Sequence, residues 1–177
     1  MDRDQEGAYL TEVVDTIAAA TGRRPRGWLG PALTETFETP ALLAELGLEY
    51  VLDWNNDDQP YELNIPGMLS VPYSIELNDV SMFVGKSYTR PEFLQTVCDQ
   101  LDQLYADSAE SGRVMALCLH PFSSNQPFQQ KYLDQALEYI AQHEGVWLTT
   151  SDQIVEVYKQ QRGTAAPTTD ASTAEAE

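Results

Sequence analysis

The sequence has 177 residues, of which 42% are hydrophobic, so it is long enough for one globular domain with a sizeable core. Its 28 acidic and 10 basic residues give a formal net charge of −18. Contact with nucleic acid or with an anionic membrane requires clustered positive charge, and this balance argues against both. A solvated acidic surface is the simplest interpretation; the alternatives are an acidic docking face and growth in high salt.

The cysteines and the N-terminus predict a cytoplasmic protein. Cys98 falls in a helical pattern and Cys118 in an apolar segment, so both are interpreted as small core residues in a reducing compartment. Residues 1–6 contain no apolar signal region, and no stretch is long enough to span a bilayer.

Apolar periodicity and turn residues predict alternating helices and strands. The first elements are a helix over 8–20 ending at Gly22, a short strand within 24–31 and a helix over 34–46 capped by Thr34 or Thr39. Strands over 48–52 and 68–72 follow, and then a helix from Pro91 to about Tyr105. The last elements are a strand over 115–119, a helix over 128–140, a strand over 146–149 and a helix to about Gln161. Pro72 predicts an edge position or an abrupt exit for its strand. Residues 73–90 are predicted to be irregular, and residues 163–177 to be a disordered tail.

This order indicates an α/β protein with βα units around a parallel sheet or barrel. Four or five strands are enough for part of a barrel and too few to close one. The first helix is amphipathic and must pack against later elements, which suggests the middle of something larger. We therefore expect one domain over 1–162.

The most apolar strand leads directly to a histidine. Five apolar residues from Met115 to Leu119 favour a strand buried on both faces, and Pro121 ends it. His120 then stands where α/β folds place their chemistry, although a histidine that only hydrogen-bonds a loop would have the same sequence. His143, the second of two histidines, is interpreted as the favoured cation at a helix C-terminus.

A second polar residue, Asp53, also follows a predicted strand. Because the carboxyl ends of parallel strands converge, Asp53 and His120 are expected to share a site. A carboxylate facing an imidazole favours its charged form, which can act as a general acid. Asp57 and Asp58, in the loop that follows, are interpreted as solvated or capping residues. With two histidines and no His-x-x-x-His or Cys-x-x-Cys pattern, a self-contained zinc site is not expected.

Five segments together resemble the polysaccharide deacetylase-like family, and in particular its allantoinase-like branch. Between about Tyr9 and Tyr158 they follow in the family's order as Thr21-Gly22-Arg23-Arg24-Pro25-Arg26-Gly27-Trp28, Thr34-Glu35-Thr36, Asp53-Trp54-Asn55-Asn56-Asp57-Asp58-Gln59-Pro60-Tyr61, Leu119-His120-Pro121-Phe122 and Val146-Trp147-Leu148-Thr149-Thr150. The resemblance implies the C-terminal portion of a distorted (β/α) barrel of the polysaccharide deacetylase type, without its N-terminal strands.

The resemblance also implies an activity, the hydrolysis of non-peptide carbon–nitrogen amide bonds. It implies that His120 is the general acid and that Asp53, Trp54, Trp28 and Pro121 line the substrate pocket. The family's catalytic base and its His-x-x-x-His metal ligands lie upstream of anything in this sequence, and Trp28-Leu29-Gly30-Pro31 offers no arginine where many relatives carry one.

Two functions therefore stay open. The first is a hydrolase represented by its C-terminal half, which contains no cofactor of its own and would meet a divalent metal only in a full-length domain. Its substrate would be a small amide or an acetylated sugar. The second is a non-catalytic barrel remnant that binds a ligand or another chain. An open sheet edge needs cover, so self-association or pairing with the missing N-terminal half is expected.

Overall fold

The computed structural model describes residues 1–164 of the chain. Its elements in chain order are α1 (Arg3–Thr21), β1 (Gly27–Trp28), α2 (Thr39–Glu45), β2 (Tyr50–Val51), β3 (Tyr61–Glu62), β4 (Leu69–Ser70), α3 (Arg90–Asp107), α4 (Pro121–Ser124), α5 (Pro127–Ala141) and α6 (Ser151–Thr164). A 3-10 turn over Pro31–Leu33 and a π-helical turn over Ser81–Gly85 complete the description.

The first half of the chain, together with α6 from residues 151–164, forms a three-layer α/β unit. Its sheet has the order β1-β2-β4-β3, in which β1, β2 and β4 are parallel and β3 is antiparallel to β4. Successive residues of β2 face opposite layers, as the two-residue period of a strand requires. Val51 packs in the cluster that contains residues of α1 and α2, and Tyr50 packs in the cluster that contains Val155 of α6.

Local capping explains where α1 begins and ends. The Asp2 side chain accepts a hydrogen bond from the backbone of Gln5, and the Gln5 side chain accepts one from the backbone of Asp2, which is a capping box. Gly22 then ends the helix in the left-handed conformation, with φ 73°. The predicted helix over 8–20 is confirmed, but it begins five residues earlier.

For this half, the structure corrects one sequence expectation, decides between the two alternatives for Pro72 and adds a strand that was not expected. The second helix begins at Thr39 and not at Thr34, because residues 34–38 form a loop. β4 is an interior strand, so Pro72 marks an abrupt exit rather than an edge. The edge position beside β4 belongs to β3, which the loop-like composition of residues 55–61 concealed.

The second half is dominated by the packing of α3 on α5. Thr89 and Glu92 form a capping box at the start of α3, and Pro91 occupies its first turn, as the sequence predicted. The buried cluster between the two helices contains Phe93, Val97 and Ala136, and Met115 and Leu117 pack against it from one side.

The segment 115–119 was predicted to be a strand buried on both faces of a sheet, and this prediction is wrong. Within the described residues, this segment joins the rest of the chain by one parallel bridge between Asn78 and Cys118 and by a hydrogen bond from the Val114 amide to the Asp58 carbonyl oxygen. Only Cys118 is buried, and Leu119 is exposed. Met115 and Leu117 pack against the cluster of α3 and α5, whereas Val114, Met115 and Ala116 line a cavity beside the loop 55–58.

The segment 146–149 is likewise extended without a strand partner in the described part of the chain, and it exposes Trp147 and Leu148. The α/β class with an open, unclosed sheet is therefore confirmed. The last helix continues through Gly163 and Thr164, two residues into the predicted tail. The rest of that tail, residues 165–177, lies outside the described residues. Over 1–164, no helix combines the length and the apolar character that crossing a membrane requires.

Candidate functional site

His120 lies at the end of the extended segment 114–119 and directly before α4. Its ring Nδ1 is 2.6 Å from Oδ1 of Asp79, and its backbone N–H donates to Oδ2 of the same carboxylate at 2.9 Å. The parallel bridge between Asn78 and Cys118 brings the two chain segments together, so each side of the pair is fixed by backbone pairing. The His120 side chain is 39% exposed, and its other ring nitrogen remains available to a ligand.

Asp79 is completely buried, yet three hydrogen bonds hold it as an anion. The third comes from the backbone N–H of Ser124, at 3.1 Å from Oδ2. Burial alone would raise the pKa of Asp79, but the hydrogen bonds from the His120 backbone and ring and from Ser124 outweigh it and lower that pKa. An anionic Asp79 accepts from Nδ1 and so fixes the proton of a neutral imidazole on that nitrogen.

The short helix α4 explains how the backbone reaches Asp79. Pro121 occupies its first position, where the missing N–H is tolerated, and the Ser123 and Ser124 amides donate to the His120 carbonyl oxygen. This tight turn brings the Ser124 amide back to the carboxylate. Pro121 thus shapes the turn that holds the histidine. The Phe122 ring lies beside the imidazole, with centroids 5.4 Å apart.

Asp53 lies just after β2 and contacts the loop that follows β1. Its Oδ1 accepts a hydrogen bond from the Gly30 amide at 2.7 Å, its side chain is only 8% exposed, and its Oδ2 has no hydrogen-bond partner within the described residues. A Cβ on Gly30 would lie 3.1 Å from that Oδ2 and 2.5 Å from the Thr34 carbonyl oxygen. Gly30 is therefore required for this close approach. Burial raises the pKa of Asp53, and the Gly30 hydrogen bond opposes that rise.

Trp54 and Trp28 are placed differently. The Trp54 indole N–H donates to Oε1 of Glu35 at 2.6 Å, and its ring is nearly half exposed. Trp28 is part of β1, where it pairs with Val51 and packs against the cluster of α1 and α2. Trp28 is thus partly a core residue, whereas Trp54 lies at the surface beside Asp53.

The predicted pairing of Asp53 with His120 is wrong as a direct contact. The carboxylate that binds the imidazole is Asp79, and no hydrogen bond or ion pair joins Asp53 to His120 within residues 1–164. The sequence analysis missed Asp79 because it lies in a segment without periodicity. The available signal was Asn78-Asp79 itself, an Asx pair after an apolar run, whose Asn78 side chain accepts from the Val80 and Ser81 amides.

The second histidine belongs to the packing of α3 and α5. His143 Nδ1 is 2.8 Å from the Tyr139 carbonyl oxygen, and the rings of Tyr105 and Tyr139 lie on either side of it. For the described part of the chain, no group of three or more His, Cys, Asp or Glu side chains is arranged to hold a metal ion. The residues present therefore do not fit a metal site of their own.

The chain is similar to curated proteins over most of its length. It is 29% identical over 174 residues to a putative polysaccharide deacetylase of Schizosaccharomyces pombe, which covers 88% of this chain and 54% of the relative. It is 25% identical over 190 residues to the peptidoglycan deacetylase of Helicobacter pylori, with 88% and 64% of the two chains covered. No protein-family model matches the sequence. The chain spans about half to two-thirds of the length of these relatives.

Solved structures share the fold described above. The crystal structure of Puue allantoinase matches with a TM-score of 0.83 and 30% identity, over 90% of this chain and 54% of that one. A probable polysaccharide deacetylase of Pseudomonas aeruginosa PAO1 matches with a TM-score of 0.84 and 26% identity, over 91% and 55%. The fold of this chain is therefore also found as part of proteins almost twice as long.

Proposed function

Because this chain is a partial polysaccharide deacetylase-like domain, we propose that it supplies the general acid of a hydrolase that cleaves non-peptide carbon–nitrogen amide bonds. The observation that carries the proposal is the buried Asp79 carboxylate, which holds the ring of the partly exposed His120. The curated relatives are deacetylases, and one solved neighbour is an allantoinase.

The geometry suits protonation of a leaving nitrogen. With Nδ1 bound to anionic Asp79, a doubly protonated His120 presents its Nε2–H to the substrate. As the carbon–nitrogen bond breaks, the electron pair of that bond stays on nitrogen and takes this proton, which leaves the imidazole neutral. Asp79 stabilises the charged ring before the transfer and keeps its orientation during it.

We propose a small amide or an acetylated sugar as the substrate, as the names of the relatives suggest. Asp53 and Trp54 are the proposed pocket residues, together with Trp28 behind them and Pro121 beside the acid. We also propose a role in carbohydrate metabolism in the cytoplasm, which the names of the relatives and the two free cysteines support.

We propose that the activation of water depends on groups that lie outside the given sequence. The sequence contains neither the segment that carries the family's catalytic base nor the His-x-x-x-His pattern of its metal ligands. A general base or a metal ion is needed to make water a nucleophile near neutral pH. The chain alone is thus proposed to be an incomplete hydrolase without a cofactor of its own. The other half of the barrel would contribute the base and, where one is used, a divalent metal.

An activity assay with allantoin and N-acetylated sugars tests the proposal. We expect no hydrolysis by the chain alone and hydrolysis once the upstream half of the barrel is joined to it. In that joined enzyme, His120→Asn should lower kcat by about 10²–10⁴-fold, the usual contribution of a general acid. The matched control is His143→Asn, which changes the other histidine and should leave kcat unchanged. Equal activity of His120→Asn and the parent enzyme would refute the assignment.

A test that needs no turnover uses the histidine resonances. We expect ¹⁵N NMR spectra to place the proton of neutral His120 on Nδ1, and Asp79→Asn to weaken that preference, because the anionic acceptor is removed. The same substitution should leave the ring resonances of His143 unchanged, since its ring neighbours are Tyr105 and Tyr139. If Asp79→Asn leaves the position of the His120 proton unchanged, the acid is not held as proposed.

The second candidate is a non-catalytic remnant that binds a ligand or a partner. A cavity of about 480 Å³ favours it, because it lies between the loop 55–58 and the segment 114–116, apart from His120. The exposed apolar segment 146–149 favours pairing with another chain, either a second copy or the N-terminal half. Sedimentation measurements should then show a dimer, or a shift to a larger species when the N-terminal half is added.

A further inference from the structure

Glu35 and Asp53, here called the carboxylate pair, each have a buried oxygen without a donor. Oδ2 of Asp53 and Oε2 of Glu35 are inaccessible to solvent, and neither has a hydrogen-bond partner within residues 1–164. Their other oxygens are held by the Gly30 amide and by the Trp54 indole. An acceptor that is buried without a donor costs roughly 1–3 kcal/mol, and more when it is charged, so the pair is costly to maintain.

A third carboxylate increases this cost. Glu6 on α1 is buried and accepts hydrogen bonds from the hydroxyls of Thr36 and Thr39. Burial raises the pKa of Glu35 first of all, and the negative charges of Asp53 and Glu6 raise it further, while the Trp54 hydrogen bond lowers it. Glu35 is thus the member of the pair that the neighbouring carboxylates affect.

No basic side chain compensates for these charges within the described residues. Arg3, on the same helix as Glu6, forms ion pairs with Glu38 and Glu45. None of the ion pairs formed by Lys, Arg or His in residues 1–164 involves Glu6, Glu35 or Asp53. A ligand that brought both positive charge and N–H donors would complement the carboxylate pair.

We propose that the carboxylate pair binds the ammonium or guanidinium group of a small ligand next to Trp54. Two charge-assisted hydrogen bonds would satisfy both unpartnered oxygens, and the half-exposed indole would offer its face to the cation. A single hydrogen bond joins that indole to Oε1 of Glu35. Binding of a cation at the carboxylate pair does not depend on the proposed function. Only the further step, that this cation is part of the hydrolase substrate, rests on it.

The titration of ¹⁵N-labelled chain with methylguanidinium chloride tests the proposal, with the Trp54 indole N–H resonance as reporter. We expect a saturable shift that neither N-methylurea nor equal NaCl reproduces. Glu35→Gln and Asp53→Asn should each weaken binding by at least about tenfold, because each removes one charged acceptor. Glu12→Gln, the same change at an exposed position of α1, should leave it unaltered.

A thermal transition without added cation separates a binding role from a structural one. Neutralising either member of the pair should leave the transition temperature the same or higher, because it relieves repulsion between buried charges. A lower temperature in both variants, or a titration that is non-saturating or identical in all chains, would overturn the proposal. These readouts involve neither turnover nor His120, so their failure is distinguishable from failure of the hydrolase.

Discussion

The two halves of this molecule differ in what their strands have to pair with. In the first half, β1, β2, β4 and β3 form a hydrogen-bonded sheet between α1 and α2 on one face and α6 on the other. In the second half, α3 and α5 pack well, but the extended segments 113–119 and 146–149 lack strand partners among the described residues. The difference teaches that the packing of α3 on α5 and one isolated bridge, without a strand ladder, hold the candidate acid in place.

The largest expected effect is a substitution in the first half. Leu43 of α2 is completely buried in the cluster with α1, so Leu43→Ala should lower the free energy of unfolding by about 2–5 kcal/mol. Leu148 is 70% exposed in the unpaired segment, so Leu148→Ala should change it by less than about 0.5 kcal/mol. Urea denaturation measures both. Similar losses from the two variants would mean that the halves do not differ as described.

A smaller effect is expected at the junction with the second half. Asp79→Asn removes an anion that accepts from the His120 and Ser124 amides, and should cost about 1–3 kcal/mol of unfolding free energy. Since the folded-state pKa of Asp79 is lowered, its contribution is complete above the ordinary aspartate pKa and is lost as the pH falls through the folded value. Urea titrations at several acidic pH values should show a weaker pH dependence in the variant.

The ion-pair network that holds α6 to the sheet should give the next effect. Glu49 binds Arg26 and Lys159, and Arg26 also binds Glu156. The hydrogen bond from Arg26 lowers the pKa of Glu49 from 4.5 to about 2, so this stabilisation is complete above 4.5 and is lost as the pH falls towards 2. Because the groups are partly exposed, Glu49→Gln should cost only about 1 kcal/mol at neutral pH.

The matched control for that network is Glu12→Gln, which carries the same change on an exposed face of α1. It should alter neither the stability at neutral pH nor its decline between 4.5 and 2. Parallel acid titrations of parent, Glu49→Gln and Glu12→Gln followed by circular dichroism would make the comparison. An unchanged acid transition in Glu49→Gln would show that α6 is held by Tyr50 and Val155 alone.

A small effect is also expected where the ring of His143 meets the rings of Tyr105 and Tyr139 edge to face. His143 lies between Tyr105 and Tyr139, and such aromatic contacts contribute about 0.5–1.5 kcal/mol. His143→Ala should therefore lower the thermal transition temperature slightly, while His143→Phe should preserve most of it. Hydrogen exchange should show the loss in α3 and α5 and not in β1 to β4. Equal losses in both regions would argue that the two halves unfold as one unit.

The sequence predicted the helices better than the sheet. The periodicity of α1, α3 and α5, with Gly22 and Pro91 at their ends, is local information, and these helices are confirmed. Strand pairing depends on what lies beside a segment, so neither β3 as an edge nor the unpaired surroundings of 115–119 followed from composition. An apolar run predicts burial only if a second layer covers it.

The candidate site was likewise predicted in part. His120 was found because a histidine after an apolar run and before a proline is distinctive, and Asp53 because it follows a strand. Asp79 was not found, because its contact with His120 arises from a bridge between segments forty residues apart. Glu35 was overlooked for a different reason. The sequence of a loop does not show that one carboxylate oxygen, here Oε2, will be buried.

The exposed segment 146–149 also contains an intrinsic fluorescence probe, Trp147. Trp147 is 53% exposed, more than either of the other two tryptophans. Indole emission moves to shorter wavelength when water is removed from the ring, so any strand that pairs with this segment should shift the spectrum to the blue. In the double variant Trp28→Phe/Trp54→Phe, Trp147 would be the only tryptophan. The wavelength of its emission maximum would then report the binding of a second chain in real time.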